Sequence, residues 1–267
     1  MSSQAKTDSP VILALECSGN SASAALIAAG NIIGFKEHKA RHGHAETLIS
    51  LVQEAVLMAG CRLDAVTHIA AGCGPGSFTG LRVCLSAAKG YSLALGAPPI
   101  GINGLAAQAY HHQLAEKQTG KIGYLSCADS RRNSVFTQFF DADLSPQTAI
   151  EDMDASQLKT ACIKKLDSGI CDHLLLCGLA ETPLLEQDNL ASYISPARLT
   201  LSSHQLNAAD IGMYAEAFLH QPDNYPATGF EPLYRHAKAG GRTGFCSQKC
   251  IDQGINQTCQ TGSSRLK

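Results

Sequence analysis

The chain has 267 residues, 45% of them apolar and 16% charged, with 21 Lys+Arg against 23 Asp+Glu. That length suits one large domain or two smaller ones, and the apolar share excludes a disordered chain. A formal charge of −2 excludes the basic field of a stand-alone nucleic-acid binder.

No apolar run approaches the ~20 residues needed to cross a bilayer, so no membrane role is expected. Residues 1–10 read as a flexible N-terminus without the features of a signal peptide. The eleven cysteines are scattered, several beside apolar runs, which points to reduced thiols in a cytoplasmic protein.

Val11–Leu15 is a continuous apolar run, the pattern of a buried strand. A polar turn, Glu16–Ser21, leads to a second strand over 22–28. Gly30-Asn31 then offers a tight hairpin turn into a third strand over 32–36, completing a meander. The next segment has helical spacing: Ala45, Leu48, Ile49, Val52, Ala55, Val56 and Ala59 share one face, and Gly60 closes the helix. Leu51, Leu57 and Met58 widen the apolar arc, so this helix is either deeply buried or has a second partner.

Val66–Ala71 reads as a strand running into Gly72-Cys-Gly-Pro-Gly-Ser-Phe-Thr-Gly80. The helix that follows, to Leu95, carries only Arg82 and Lys89 as charges, and its small residues allow close helix approach. Pro98-Pro99 stops it, Ile100–Ile102 is a strand, and Leu105–Glu116 a helix. The second half opens in the same way, with strands over 122–127 and 134–140 around the polar turn Ala128–Asn133. A strand at Leu174–Cys177 and a helix over 206–219 follow. Strand, polar turn, strand in each half indicates a duplicated α/β unit.

The Gly72–Gly80 loop joins a strand to a helix that Ser77 or Thr79 can cap, and its free amides form a natural anion seat. It lacks the Gly-Lys-Ser/Thr of a P-loop, and a tight turn with a capped helix is the simpler reading. Glu16-Cys17-Ser18 has the acid and hydroxyl of a phosphate-binding turn but no basic residue. His38, His42 and His44 lack further ligands apart from Glu46, and Cys246, Cys250 and Cys259 lack paired Cys-x-x-Cys spacing, so no metal is expected. Ser77 is outside any Gly-x-Ser-x-Gly elbow, and Asp129 with Arg131-Arg132 reads as a salt-bridged turn.

These segments occur in a recognisable order: Ile12–Ser18, His44-Ala-Glu46, Gly74–Arg82, Ala88-Lys-Gly90, Asp129–Arg132 and Glu231-Pro-Leu-Tyr234. Over residues 11–235 the chain resembles the TsaB (YeaZ) family of tRNA threonylcarbamoyladenosine biosynthesis. The resemblance implies an α/β fold of the actin-like ATPase (ASKHA) superfamily with two duplicated subdomains, 11–103 and 104–235. Residues 236–267, poor in apolar groups, are expected to form a mobile tail that the family pattern does not explain.

The resemblance further implies a non-catalytic scaffold that binds the paralogue TsaD. TsaD, with TsaE and ATP, transfers threonylcarbamoyl to N6 of adenosine 37 in tRNAs reading codons that start with A. Nucleotide and metal would belong to that complex, tRNA would be reached only through it, and without TsaD the chain would pair with itself. TsaD places a His-x-x-x-His pair just after the strand corresponding to Ile100–Ile102, where this chain has Asn103–Gln108, so catalytic residues and metal ligands are expected to be none. The docking face would comprise Leu48, Leu51, Val52, Ala55, Met58, Leu81, Val83, Leu85, Ala87, Gly90 and Ala94. Degenerate nucleotide contacts would be Glu16 (the family's usual Asp), Ser18, Gly74, Gly76, Ser77 and Thr79. The competing reading is an autonomous small-molecule kinase or ATPase of the same superfamily.

Overall fold

The computed structural model describes residues 9–39, 44–115, 120–178, 194–223, 229–233, 236–237 and 243–244. Two mixed five-stranded sheets carry the architecture of Met1–Tyr234, which forms one compact unit. In the first sheet β1 (Val11–Glu16), β2 (Ser21–Ala28) and β3 (Asn31–Lys39) form the expected antiparallel meander. On the other side of β1, β4 (His68–Gly72) and β5 (Pro99–Ile102) pair in parallel, giving the order β3-β2-β1-β4-β5.

The second sheet repeats this plan. β6 (Ile122–Asp129), β7 (Val135–Phe140) and β8 (Glu151–Met153) are the meander, and β9 (His173–Cys177) and β10 (Leu199–Leu201) extend it in parallel. The order β10-β9-β6-β7-β8 makes β6 the counterpart of β1 and β9 that of β4.

Among the described residues, five helices complete the layers: α1 (His44–Ala59), α2 (Phe78–Leu95), α3 (Gly104–Ala115), α4 (Ala155–Asp167) and α5 (Ala208–His220). β1 is apolar from Val11 to Leu15 because both of its faces are covered, as period-two side-chain geometry requires. Leu13 and Leu15 join the core under α1 and α2, with Leu48, Leu51, Val52, Ala55 and Leu85. Ile12 and Ala14 turn the other way, into the core that holds Leu105, Tyr124, Leu175, Ile211 and Tyr214. A third core joins the second sheet to α4 through Leu125, Phe139, Leu158, Leu166 and Leu174.

The helices on the inner side exchange sheets. α3 follows β5 yet packs on β6 and β7, whereas α5 follows β10 yet packs on β1, β2 and β4. Gly212 permits this, since a Cβ there would meet Ile27 and Ala14. Two long-range bonds fix α5: Ala208 N donates to Ser23 Oγ at 2.9 Å, and Gly30 N donates to the Glu216 carboxylate at 2.9 and 3.0 Å.

Some local expectations need correction. The hairpin turn is Ala29-Gly30, both at positive φ, and Asn31 already belongs to β3. β4 starts at His68 because Leu63–Ala65 forms a 3-10 turn first. β8, α4 and β10 escaped the sequence reading: β8 and β10 are three residues each, and α4 has only a narrow buried stripe. No described helix is long and apolar enough to cross a membrane. Arg235–Lys267 is a separate unit in which His236–Ala237 pairs with Thr243–Gly244; residues 1–8 and the rest of the expected mobile tail lie outside the described residues.

Candidate functional site

The carboxyl ends of β1 and β4 bring Glu16, Ser18 and the Gly72–Gly80 loop together, as the sequence reading required. Ser77 caps α2, its Oγ accepting from Gly80 N at 3.3 Å, while Thr79 faces solvent. The loop then closes on the β1–β2 turn. Ser77 N donates to Ser18 O at 2.8 Å. A Cβ on Gly76 would sit 2.7 Å from Ser18 Cβ and O, and one on Gly80 would overlap the Cys17 carbonyl. These glycines therefore admit a protein backbone at the distance where a phosphate loop would admit phosphate.

Glu16 is buried beneath this seal. Ser18 N donates to its Oε1, and its Oε2, which has no hydrogen-bond partner, lies against Gly72 where a Cβ would stand. Burial raises the Glu16 carboxyl above the usual range, bonds from Ser18 oppose this, and Asp210 adds to the rise. A carboxyl enclosed in this way has no route to metal-bound water. The residues present do not fit a nucleotide's phosphates, and no chemical step follows from them.

Between the rims of the two sheets runs a narrow cleft of about 70 Å³ lined by Ser18, Asn20, Gln108, Asp129, Arg131 and Leu206. Ligand pockets commonly hold ~300–1,000 Å³, so there is room for a few waters only. Arg131 closes it from the second sheet, donating from Nη2 to Gly19 O at 3.1 Å. Its amide donates to Asp129 Oδ1 at 2.8 Å and its Nε stands 3.7 Å from Oδ2, so the salt-bridged turn is formed by Asp129 and Arg131. Gln108 leaves its buried Oε1 without a partner beside Gly178.

The docking-face expectation requires a larger correction. Leu48, Leu51, Val52, Ala55, Leu81 and Leu85 are buried in the chain's own core and cannot meet a partner. Val83 and Ala87 are half-buried, and Met58, Gly90 and Ala94 are exposed. The wide arc of α1 has two uses: its inner half covers the first sheet, and its outer half presents Ile49, Leu57 and Met58 to solvent. Leu57 is 80% exposed and Leu93, on α2, 86%. Phe78 is also exposed at the start of α2, with the Arg82 guanidinium 3.7 Å over its ring. Thr79, Arg82, Ser86, Gly90 and Leu93 share the outward side of α2 at spacings of three and four, a stripe of mostly small groups. Since α1 and α2 pack on each other, these residues belong to one side of the molecule.

One cluster was missed by the sequence reading. His111 on α3, His204 before α5 and Asp210 in the first turn of α5 converge although about 90–100 positions separate His111 from the other two. Burial alone would raise the Asp210 carboxyl, but bonds from His111 and His204 outweigh it and hold the group below its ordinary value.

Comparison with known proteins follows the same lines. The profile of the family described as "TsaD: tRNA N6-adenosine threonylcarbamoyltransferase" matches residues 29–153. The tRNA threonylcarbamoyladenosine biosynthesis protein TsaB of Escherichia coli is 30% identical over 132 residues, 49% of this chain and 55% of that protein. The chain thus spans about half the length of the curated TsaB relatives it matches. A Pseudomonas aeruginosa protein described as similar to peptidase YEAZ superposes with a TM-score of 0.63 at 21% identity, over 84% of this chain and 99% of that one. A putative N-acetylmannosamine kinase from Listeria monocytogenes superposes with a TM-score of 0.51 at 10% identity, over 80% of this chain and 100% of that one. The fold is that of the actin-like ATPases.

Proposed function

Because the chain is a relative of the TsaB (YeaZ) proteins, we propose that it serves tRNA threonylcarbamoyladenosine biosynthesis as a binding subunit. Its partner would be a TsaD-type threonylcarbamoyltransferase, with TsaE and ATP acting on that complex and tRNA reached through it. The observation that carries this reading is the division of α1 and α2 into a buried inner side and an apolar outer side. Ile49, Leu57, Met58, Phe78 and Leu93 lie exposed on helices whose inner residues already complete a core. Water-exposed apolar side chains of this size, grouped on one side, favour association. The small residues Ser86, Gly90 and Ala94 let partner helices approach closely. In the absence of the transferase the same face would pair with a second copy, an isologous contact.

The kinase or ATPase reading is disfavoured by the glycine loop, which is occupied by the β1–β2 turn. The test is reconstitution of threonylcarbamoyl transfer to tRNA with a TsaD-type enzyme, TsaE and ATP, with and without this chain. The reading expects product only when the chain is present, and no nucleotide turnover by the chain alone. Full transfer in its absence, or steady ATP hydrolysis by the isolated protein, would contradict it.

A further inference from the structure

We infer that His111, His204 and Asp210 form a site for one borderline transition-metal dication, of the Zn²⁺ or Co²⁺ type. Nδ1 of His111 lies 2.8 Å from Oδ1 of Asp210, and Nε2 of His204 lies 2.8 Å from Oδ2. The three donor atoms all fall within 4.8 Å of one another. Two imidazoles and a carboxylate suit zinc-like ions, whereas magnesium and calcium prefer all-oxygen sites. The site stands one turn along α3 beyond Asn103–Gln108 and is independent of the function proposed above.

The surroundings support the donors. Asp210 is buried, and its Oδ2, the oxygen that faces His204, also accepts from Asn207 N at 2.9 Å, which helps to fix the carboxylate. His112 is buried next to the cluster, with ring centroids 5.1 Å from His111 and 5.8 Å from His204 in edge-on arrangements. Its Nε2 has no hydrogen-bond partner, which leaves a further nitrogen beside the site. A cavity of about 450 Å³, walled by Phe35, Tyr110, Leu114 and Met213, opens onto His111, His204 and Asp210. It gives an ion a route in and gives water the remaining coordination positions.

Without an ion, each ring nitrogen facing Asp210 donates its hydrogen to the carboxylate, and the rings stack 3.6 Å apart at 4°. An imidazole lone pair lies in its ring plane, so two parallel rings cannot both reach one ion. Ligation therefore requires one ring to turn. His204 is the ring able to do so, since it lies outside helix and strand and borders the cavity. Each ligating nitrogen must also lose its hydrogen, which moves to the other nitrogen of the same neutral ring through solvent, with no net proton change. The cluster thus alternates between a hydrogen-bonded latch from α3 to α5 and a metal-bridged one.

The test is a titration of the full chain with cobalt(II) chloride, read by visible absorption and thermal melting. The expected result is one tight equivalent with d–d bands, no near-ultraviolet thiolate charge transfer, and a raised melting temperature. His204→Ala and His111→Ala should each weaken binding at least about 10-fold and abolish the thermal shift, and His42→Ala should change neither. Circular dichroism checks folding. Should His111→Ala misfold, His204→Gln, altered outside helix and strand, supplies the same comparison. Absence of cobalt uptake, a thiolate signature at the tight equivalent, unchanged affinity in the folded variants, or equal loss in His42→Ala would overturn the inference.

Discussion

The two sheets share a strand order and differ at their rims. At the end of the first sheet, the glycine loop after β4 is sealed onto the β1–β2 turn and Glu16 is enclosed below it. At the end of the second, the equivalent β6–β7 turn stands out in solvent, with Arg131, Arg132 and Asn133 exposed. Topology follows from long apolar runs that tolerate much variation, whereas the rims depend on single positions where a Cβ is allowed or forbidden. One strand order can thus carry a closed rim at one sheet and an open rim at the other.

The largest expected effect comes from breaking the seal. Gly80→Ala would drive a methyl group into the Cys17 carbonyl and cost about 3 kcal/mol in a denaturant melt. Gly90→Ala, ten residues along the same helix, has open space around it and should gain about 0.5–1 kcal/mol. Equal effects at the two positions would show that the seal is loose.

Glu16→Gln sharpens the comparison through pH. Burial raises the folded-state value of Glu16 above the ordinary 4.5, so the protonated form is the one the fold prefers. Its contribution is complete below about pH 4.5 and is lost as pH rises through the folded value. Glutamine never ionises, so the variant should melt higher than the parent at pH 8 and alike at pH 4. A variant that melts lower at pH 8 would mean that the charged form is favoured. Arg131→Ala on the open rim removes one exposed bond across the cleft and should cost only about 0.5–1 kcal/mol.

Much of this fold was legible. Continuous apolar runs announced β1, β2, β6 and β9, the 3.6-residue spacing announced α1, and the strand-turn-strand opening of each half announced the duplication. α4 was missed although its capping box, Asp154 with Gln157, is a readable start signal. The docking face was misjudged because periodicity gives the width of an apolar arc but not which half the core takes. Leu48 and Leu51 went inward, Leu57 outward. The His111–His204–Asp210 cluster left no local signal, because its members come from separate elements joined only by the exchange of α3 and α5 between sheets.

The account rests most directly on the outer side of α1 and α2, and isothermal titration of the folded chain against a TsaD-type transferase tests it. The parent should bind, and Leu57→Glu with Leu93→Glu should weaken binding at least about 100-fold at an unchanged melting temperature, while Leu114→Glu on α3 binds as the parent does. Unaltered binding by the double variant would contradict the account.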